Sequence, residues 1–272
     1  MPTSLADRAA LHLHRARALR HETPAFFLIN EAIAEAKERL ASVNRTFSDL
    51  AIVTPFADPW RQAFPGARLL PDAPVLDLRA GAHDAVIHTM ALHWADDPVG
   101  QIVQCHRALR PDGLFLALFP GGMTLHELRA SLAEAEAEIA GGLSPRVLPM
   151  AEVRDAGNLL QRAGLALPVA DRITIDTSYR DILHLARDLR AMGETNALAS
   201  RRRQPPPRAL FARAGAIYAA AFPADGGRIR ATWEILCLTG WSPHESQQKP
   251  LRPGSARTSL ASALNAEERP LR

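Results

Sequence analysis

The 272 residues carry 47% apolar and 22% charged side chains and a formal net charge of only +3, which suits a chain with a sizeable core and excludes the charge surplus of a nucleic-acid binder. No run reaches the roughly 18 apolar residues that a membrane span needs, and the stretch before Pro24 lacks the apolar centre of a secretory signal, so the chain is read as cytoplasmic. Cys105 and Cys237 stand far apart without a CxxC pattern, so neither a disulfide framework nor a structural zinc site is expected, and both read as small core residues. The basic clusters HRARALRH and RRRQPPPR lack interleaved aromatics and read as solvated surface.

Residues 1–45 read as a helical lead-in. Phe27, Ile29, Ile33, Ala36 and Leu40 recur at helical spacing, and a short helix fits ahead of them. From residue 46 to 245 strands alternate with helices. DLAIV predicts a strand over 49–53, and DPWRQAFPG a helix of at most two turns, with Asp58 as N-cap and Pro59 in its first position. ARLL and PVLDL read as short strands and HDAVIHTMAL as a stronger one. PVGQIVQCHRAL is a helix with an apolar stripe, broken by RPDG before the central strand LFLALF. MTLHELRASLAEAEAEIAGG is a long helix closed by Gly141, and AEVRDAGNLLQRAGL a further helix. RITIDTSY is a strand, YRDILHLARDLRAMG a helix, and ALFARAGAIYAAAF a helix after the RRRQPPPR loop. GRIRATWEILCLTGW is a last, long strand expected near an edge, and residues 246–272 read as an irregular tail. Such alternation predicts one α/β domain with a mostly parallel sheet covered on both faces.

Ligands of open α/β sheets bind outside the carboxyl ends of the strands, so three exits matter: TPFAD after Val53, LHWADDP after Met90 and FPGG after Leu118. The first contains no glycine. The second gathers His93, Trp94, Asp96 and Asp97. His93 beside carboxylates suits a general base and Trp94 a stacking platform, while Asp96 or Asp97 equally suits an N-cap before Pro98. At the third, Gly121 and Gly122 either let backbone approach a ligand or make a turn with positive φ. His83, His88 and His93 recur every five residues, which alternates strand faces, so no metal site is expected.

The run LHWADDPVGQIVQCHRALRPDGLFLALFPGGMTLHELRASL resembles the class I S-adenosylmethionine-dependent methyltransferases. Within that class it is similar to respiratory complex I assembly factors described as methyltransferase-like arginine hydroxylases, with their alphaproteobacterial relatives, and more distantly to malonyl-acyl-carrier-protein methyltransferases. FFLINEAIAEAKERLASVNRTF, DLRAMGETNAL and GRIRATWEILCLTGWSPHESQQKPLRPGSA support the likeness, which covers most of the chain. The resemblance implies a Rossmann-like sheet in the order 3-2-1-4-5-7-6, its last strand antiparallel, with S-adenosylmethionine across the ends of strands 1, 2 and 4. Positions implied for the cofactor are Thr54, Phe56, Asp72, Leu92, His93 and Trp94, with Asp72 matching the ribose-binding acid. Gly121, Gly122, His244, Glu245, Gln247 and Gln248 are implied for a substrate or protein partner, while the last four equally suit capping and covering the sheet edge after EILCLTGW.

Two observations run against the conventional cofactor site. The glycine-rich loop of the family is replaced by AIVTPFAD, and only Pro71–Pro74 separate ARLL from PVLDL, where a parallel crossover needs about 10–12 residues. The sheet is therefore expected to be shortened on its strand 2–3 side, with weak or absent S-adenosylmethionine binding. The functions compatible with the sequence are a methyltransferase-like enzyme with His93 as a catalytic candidate, a non-catalytic assembly protein holding a respiratory complex I subunit, and an arginine hydroxylase.

Overall fold

A computed structural model describes residues 4–248. The chain begins with α1 (Arg8–Leu19) and α2 (Phe27–Ser42). Asp7 caps α1 by accepting the Ala10 N–H at 3.1 Å. α2 buries Leu28, Ile29, Ala32, Ile33 and Ala36, the face its three- and four-residue spacing marks out.

The sheet follows in β1 (Leu50–Val53), β2 (Arg68–Leu70), β3 (His83–Thr89), β4 (Leu109–Pro120), β5 (Ala166–Tyr179), β6 (Pro223–Ala224) and β7 (Arg228–Trp241). Its order is β2-β1-β3-β4-β7-β5, with β6 pairing beside β7. β2, β1, β3 and β4 are mutually parallel, whereas β7 runs antiparallel between β4 and β5. This is the implied class I order with the strand beyond β2 absent among the described residues. The PVLDL segment is not a strand; residues 71–82 form a loop instead, as a four-residue gap that cannot hold a crossover helix requires.

The helices between are α3 (Ala57–Ala63), α4 (Pro98–Ala108), α5 (His126–Ala140), α6 (Val153–Arg162), α7 (Ile182–Met192) and α8 (Arg208–Ala221). One apolar layer joins α2, α3, α5, α7 and α8 to one face of the sheet, and a second joins α4 and α6 to the other. A third, smaller cluster places Leu11 of α1 with Trp94, Leu148, Ala197 and Leu198. β1 and β3 are buried throughout; β1 is apolar along its length, whereas β3 buries His83, Asp84, His88 and Thr89 as well.

Three local expectations need correction. Asp58 lies inside the first turn of α3, where it pairs with Arg61; the cap position is Phe56, which makes no side-chain bond to the helix. RPDG does not end a helix ahead of a separate strand. β4 starts at Leu109 and runs through it, with Asp112 in the left-handed region at φ 61°. β7 is central rather than near an edge, because β5 pairs along its whole length.

Candidate functional site: the strand exits

The carboxyl ends of β1, β3 and β4 lie side by side, and an apolar cavity of about 270 Å³ opens beside the exits of β3 and β4. Its walls include Leu125, Leu128, Leu189, Phe211, Trp94 and Trp233. Its polar groups are Thr124, Thr195, Asn196 and His93, with Glu194, Arg146 and Arg190 as the charged ones. An apolar hollow with a small number of converging polar groups is the form that ligand sites take.

Glu194 is the central charge. Gly193 ends α7 in the left-handed conformation, at φ 77°, and the Glu194 N–H turns back to the Leu189 carbonyl at 3.0 Å. That closure aims the carboxylate beneath the short 3₁₀ turn Leu92–Trp94. There Trp94 Nε1–H donates to Glu194 Oε2 at 2.7 Å, and His93 Nε2 approaches the same oxygen at 3.3 Å. Burial alone would raise the Glu194 carboxyl. The His93 hydrogen bond and charge, the Arg15 charge and the Trp94 hydrogen bond outweigh it, so the group is held below the ordinary carboxylate range. His93 Nδ1 is buried and has no partner among the described residues.

The second exit thus unites His93 and Trp94 with Glu194. Leu92 points into the opposite core layer. Asp97 caps α4 through the Gly100 N–H at 2.8 Å with Pro98 first in the helix, as its local pattern predicts. Asp96 instead receives the Ser4 hydroxyl at 2.8 Å and the Leu5 N–H at 2.6 Å, pinning the chain ahead of α1.

At the third exit, Gly122 has φ 52°, and a Cβ there would collide with the Glu234 carboxylate; a Cβ on Gly121 would collide with Leu236. Both glycines therefore admit the close approach of β7, whose Glu234 Oε2 also accepts the Met123 N–H at 3.0 Å. His244, Glu245, Gln247 and Gln248 are not brought to them. They follow the end of β7, where Gln247 Nε2 donates to Asp112 Oδ1 at 2.9 Å and His244 Nδ1 meets the Ser246 hydroxyl at 2.7 Å. The stretch of β4 from Leu114 to Pro120 separates the two groups by about 20 Å. The remainder of the PHESQQKPLRPGSA motif, from residue 249, lies outside the described residues.

Residues 31–117 match the family described as a methyltransferase domain. The fold agrees: the YcgJ protein of Bacillus subtilis superposes with a TM-score of 0.50 over 79% of this chain and 99% of that one, at 12% identity. The chain carries a methyltransferase-domain match on a class I methyltransferase-like fold. Among curated proteins, the mitochondrial arginine-hydroxylase NDUFAF5 of Danio rerio is 38% identical over 72% of this chain and 61% of its own length. The human protein of the same name is 37% identical over 72% and 56%. The malonyl-[acyl-carrier protein] O-methyltransferase of Xylella fastidiosa is 33% identical over 66% and 58%. The chain thus spans about three fifths of the length of these relatives.

That match makes the first exit the place to test for S-adenosylmethionine. The Thr54 N–H is bonded to the Leu70 carbonyl at 2.9 Å, and Thr54 Oγ1 accepts the Phe56 N–H at 3.3 Å, so neither is free for a ligand. Phe56 is 2% exposed, with its ring 5.4 Å from that of Phe26. Asp72, the match to the ribose-binding acid, accepts Arg15 Nη1 at 2.8 Å and Arg8 Nη1 at 3.3 Å, and the Arg8 guanidinium also reaches the Asp72 carbonyl. Beside it, between Asp72, His88 and Gln101, is a cavity of about 110 Å³, well under the roughly 300–1,000 Å³ of sites for drug-sized ligands. These residues do not fit S-adenosylmethionine in the pose that the methyltransferase resemblance implies.

Sequence reasoning missed Glu194, Arg8 and Arg15. For Glu194 the available signal was a polar run, ETN, directly after the glycine that ends a helix. For Arg8 and Arg15 it was their seven-residue spacing, which places both on one face of α1.

Proposed function

We propose that this chain is a methyltransferase-fold protein that works through the apolar cavity at the β3 and β4 exits and binds S-adenosylmethionine weakly or not at all. The observation that carries this reading is the double guanidinium clamp of Arg15 and Arg8 on Asp72, the acid that would otherwise take the ribose. The partner we propose is a protein subunit of respiratory complex I held during assembly, on the strength of the sequence resemblance. A 270 Å³ apolar hollow suits a side chain presented by such a partner. Isothermal titration with S-adenosylmethionine and S-adenosylhomocysteine tests the cofactor half of the proposal. No binding heat is expected; a micromolar Kd for either compound would overturn it. Capture of an identified complex I subunit by the wild-type chain, lost in Phe211→Ala, is expected for the partner half.

One specific observation favours a second reading, in which the chain modifies arginine as the name of its relatives describes. Glu194 offers a largely buried, ionised carboxylate at a cavity wall built with Trp94, Trp233 and Phe211, a setting that attracts a guanidinium. Under this reading Glu194→Gln abolishes binding of an arginine-bearing peptide and leaves the corresponding lysine and glutamine peptides unaffected.

A further inference from the structure

Between α5 and α6 the chain crosses the apolar cavity as a strap without regular structure, Leu143–Met150. Its far side borders a second cavity, of about 180 Å³, walled by Arg129, Glu136, Leu143 and Pro145. The two hollows share Leu132, Arg146 and Val147, so the strap is the partition between them.

What holds the strap is unusual. From Leu143 to Met150 no backbone–backbone hydrogen bond ties it to the rest of the described protein. Side chains do the holding, and most of them converge on one carboxylate. Glu136 Oε2 accepts the Ser144 N–H at 2.9 Å and Arg146 Nε–H at 3.1 Å; Oε1 accepts the Ser144 hydroxyl at 2.7 Å and Arg146 Nη2–H at 2.5 Å. Asn196 Nδ2–H adds one bond to the Pro145 carbonyl at 2.8 Å, and Arg129 Nη2–H one to the Leu148 carbonyl at 3.3 Å. The Arg146 guanidinium, with Ser144, holds the Glu136 carboxyl down to about 2, so the latch stays charged at ordinary pH.

The strap's two ends differ. Gly141, at φ 65°, and Gly142 precede it, and a Cβ on either would meet nothing within 4 Å. The backbone there is free to turn without displacing a neighbour. At the other end Leu148 is buried against Trp94, Leu11 and Leu198 and is the anchor.

We propose that Leu143–Val147 is a gate over the apolar cavity, latched by Glu136 and hinged at Gly141–Gly142, whose lifting joins the two hollows into one trough open to an incoming protein segment. The proposal rests on the reading of that cavity as the working site. Its test uses no ligand, so its failure is separable from failure of that reading.

Glu136→Gln keeps the side-chain volume and removes the charge. Hydrogen exchange at the Ser144 amide and its neighbours should speed up by about tenfold or more, while amides of β3, β4 and β7 keep their rates. Trp94 and Trp233 line the cavity, and Trp60 is fully buried elsewhere. In a Trp241→Phe background, acrylamide quenching of tryptophan fluorescence should therefore rise about twofold. Arg146→Met, which breaks the latch from the strap side and leaves α5 intact, should reproduce both effects. Unchanged strap exchange in both variants, strap exchange that rises only together with that of α5 and the sheet, or a freed strap with unchanged quenching would each overturn the gate.

Discussion

His88 shows how one buried side chain sets a property of the whole protein. It sits inside β3, with Nε2 against Gln101 Oε1 at 3.2 Å and Nδ1 without a partner among the described residues. Burial pushes the imidazole down from 6.5 to about 4. Between those values the unfolded chain takes up a proton that the folded chain refuses, so stability falls as pH drops through that window. A shift of that size makes the loss about 3 kcal/mol by pH 4. His14, also lowered chiefly by burial, adds to the slope in the same sense. Carboxylates such as Glu136, held down to about 2, have linkage of the same sign in a lower window: their contribution is complete above their ordinary range and is lost only as pH falls from about 4.5 towards 2. Urea titrations at pH 7, 6, 5 and 4.5 should show a steady decline for the wild type and a flatter one for His88→Gln. An equal slope in both would assign the acid sensitivity to other groups. The sequence made His88 visible but not its role. The Asp97–Pro98 cap was legible because both partners are local, whereas Glu194 meets Trp94 and His93 from a hundred residues away, and no local pattern encodes that meeting.

At the scale of elements, helices and parallel strands were readable from periodicity, and the departures have local causes. Left-handed Asp112 let β4 absorb RPDG without ending the strand, and the pairing of β5 moved β7 from an edge to the interior. α1 is the element whose consequence was hidden. As a sequence it is a short basic helix. In the fold, Gly193 lets the Arg15 backbone come close, since a Cβ there would lie 3.0 Å from Arg15 Cα, and Arg15 then reaches Asp72 with both side chains under a tenth exposed. Removing one partner of such a pair strands the other in the interior. Arg15→Met or Asp72→Asn alone should therefore cost about 3 kcal/mol in urea unfolding. The double variant should cost clearly less than the sum, with a coupling above about 1 kcal/mol. Additive losses would mean that α1 is held by its apolar contacts and that the clamp contributes nothing.

Across the whole molecule, the sheet is full on the β4, β7 and β5 side and short on the β2 side, and this asymmetry was foreseen from a four-residue gap. On the reading proposed above, closure of the cofactor side is shared among distant parts, which the sequence could not reveal. Thr54 and Phe56 fill the first exit, α1 covers Asp72 from above, and the strand that would extend the wall beyond β2 is absent among the described residues. A distributed cause predicts that a local repair fails. Replacing Thr54 and Phe56 together by glycine recreates part of the missing loop chemistry but leaves Arg15 on Asp72 and adds no strand. The double variant should still give no S-adenosylmethionine heat in isothermal titration. It should also lose about 3–5 kcal/mol in urea unfolding, because the Phe56 ring is core packed on Phe26. Circular dichroism confirms that the variant titrated is folded. Micromolar binding by this variant would place the whole barrier in two side chains and reduce α1 and the missing strand to bystanders. Binding gained only when Arg15→Met is added would place the barrier in the helix.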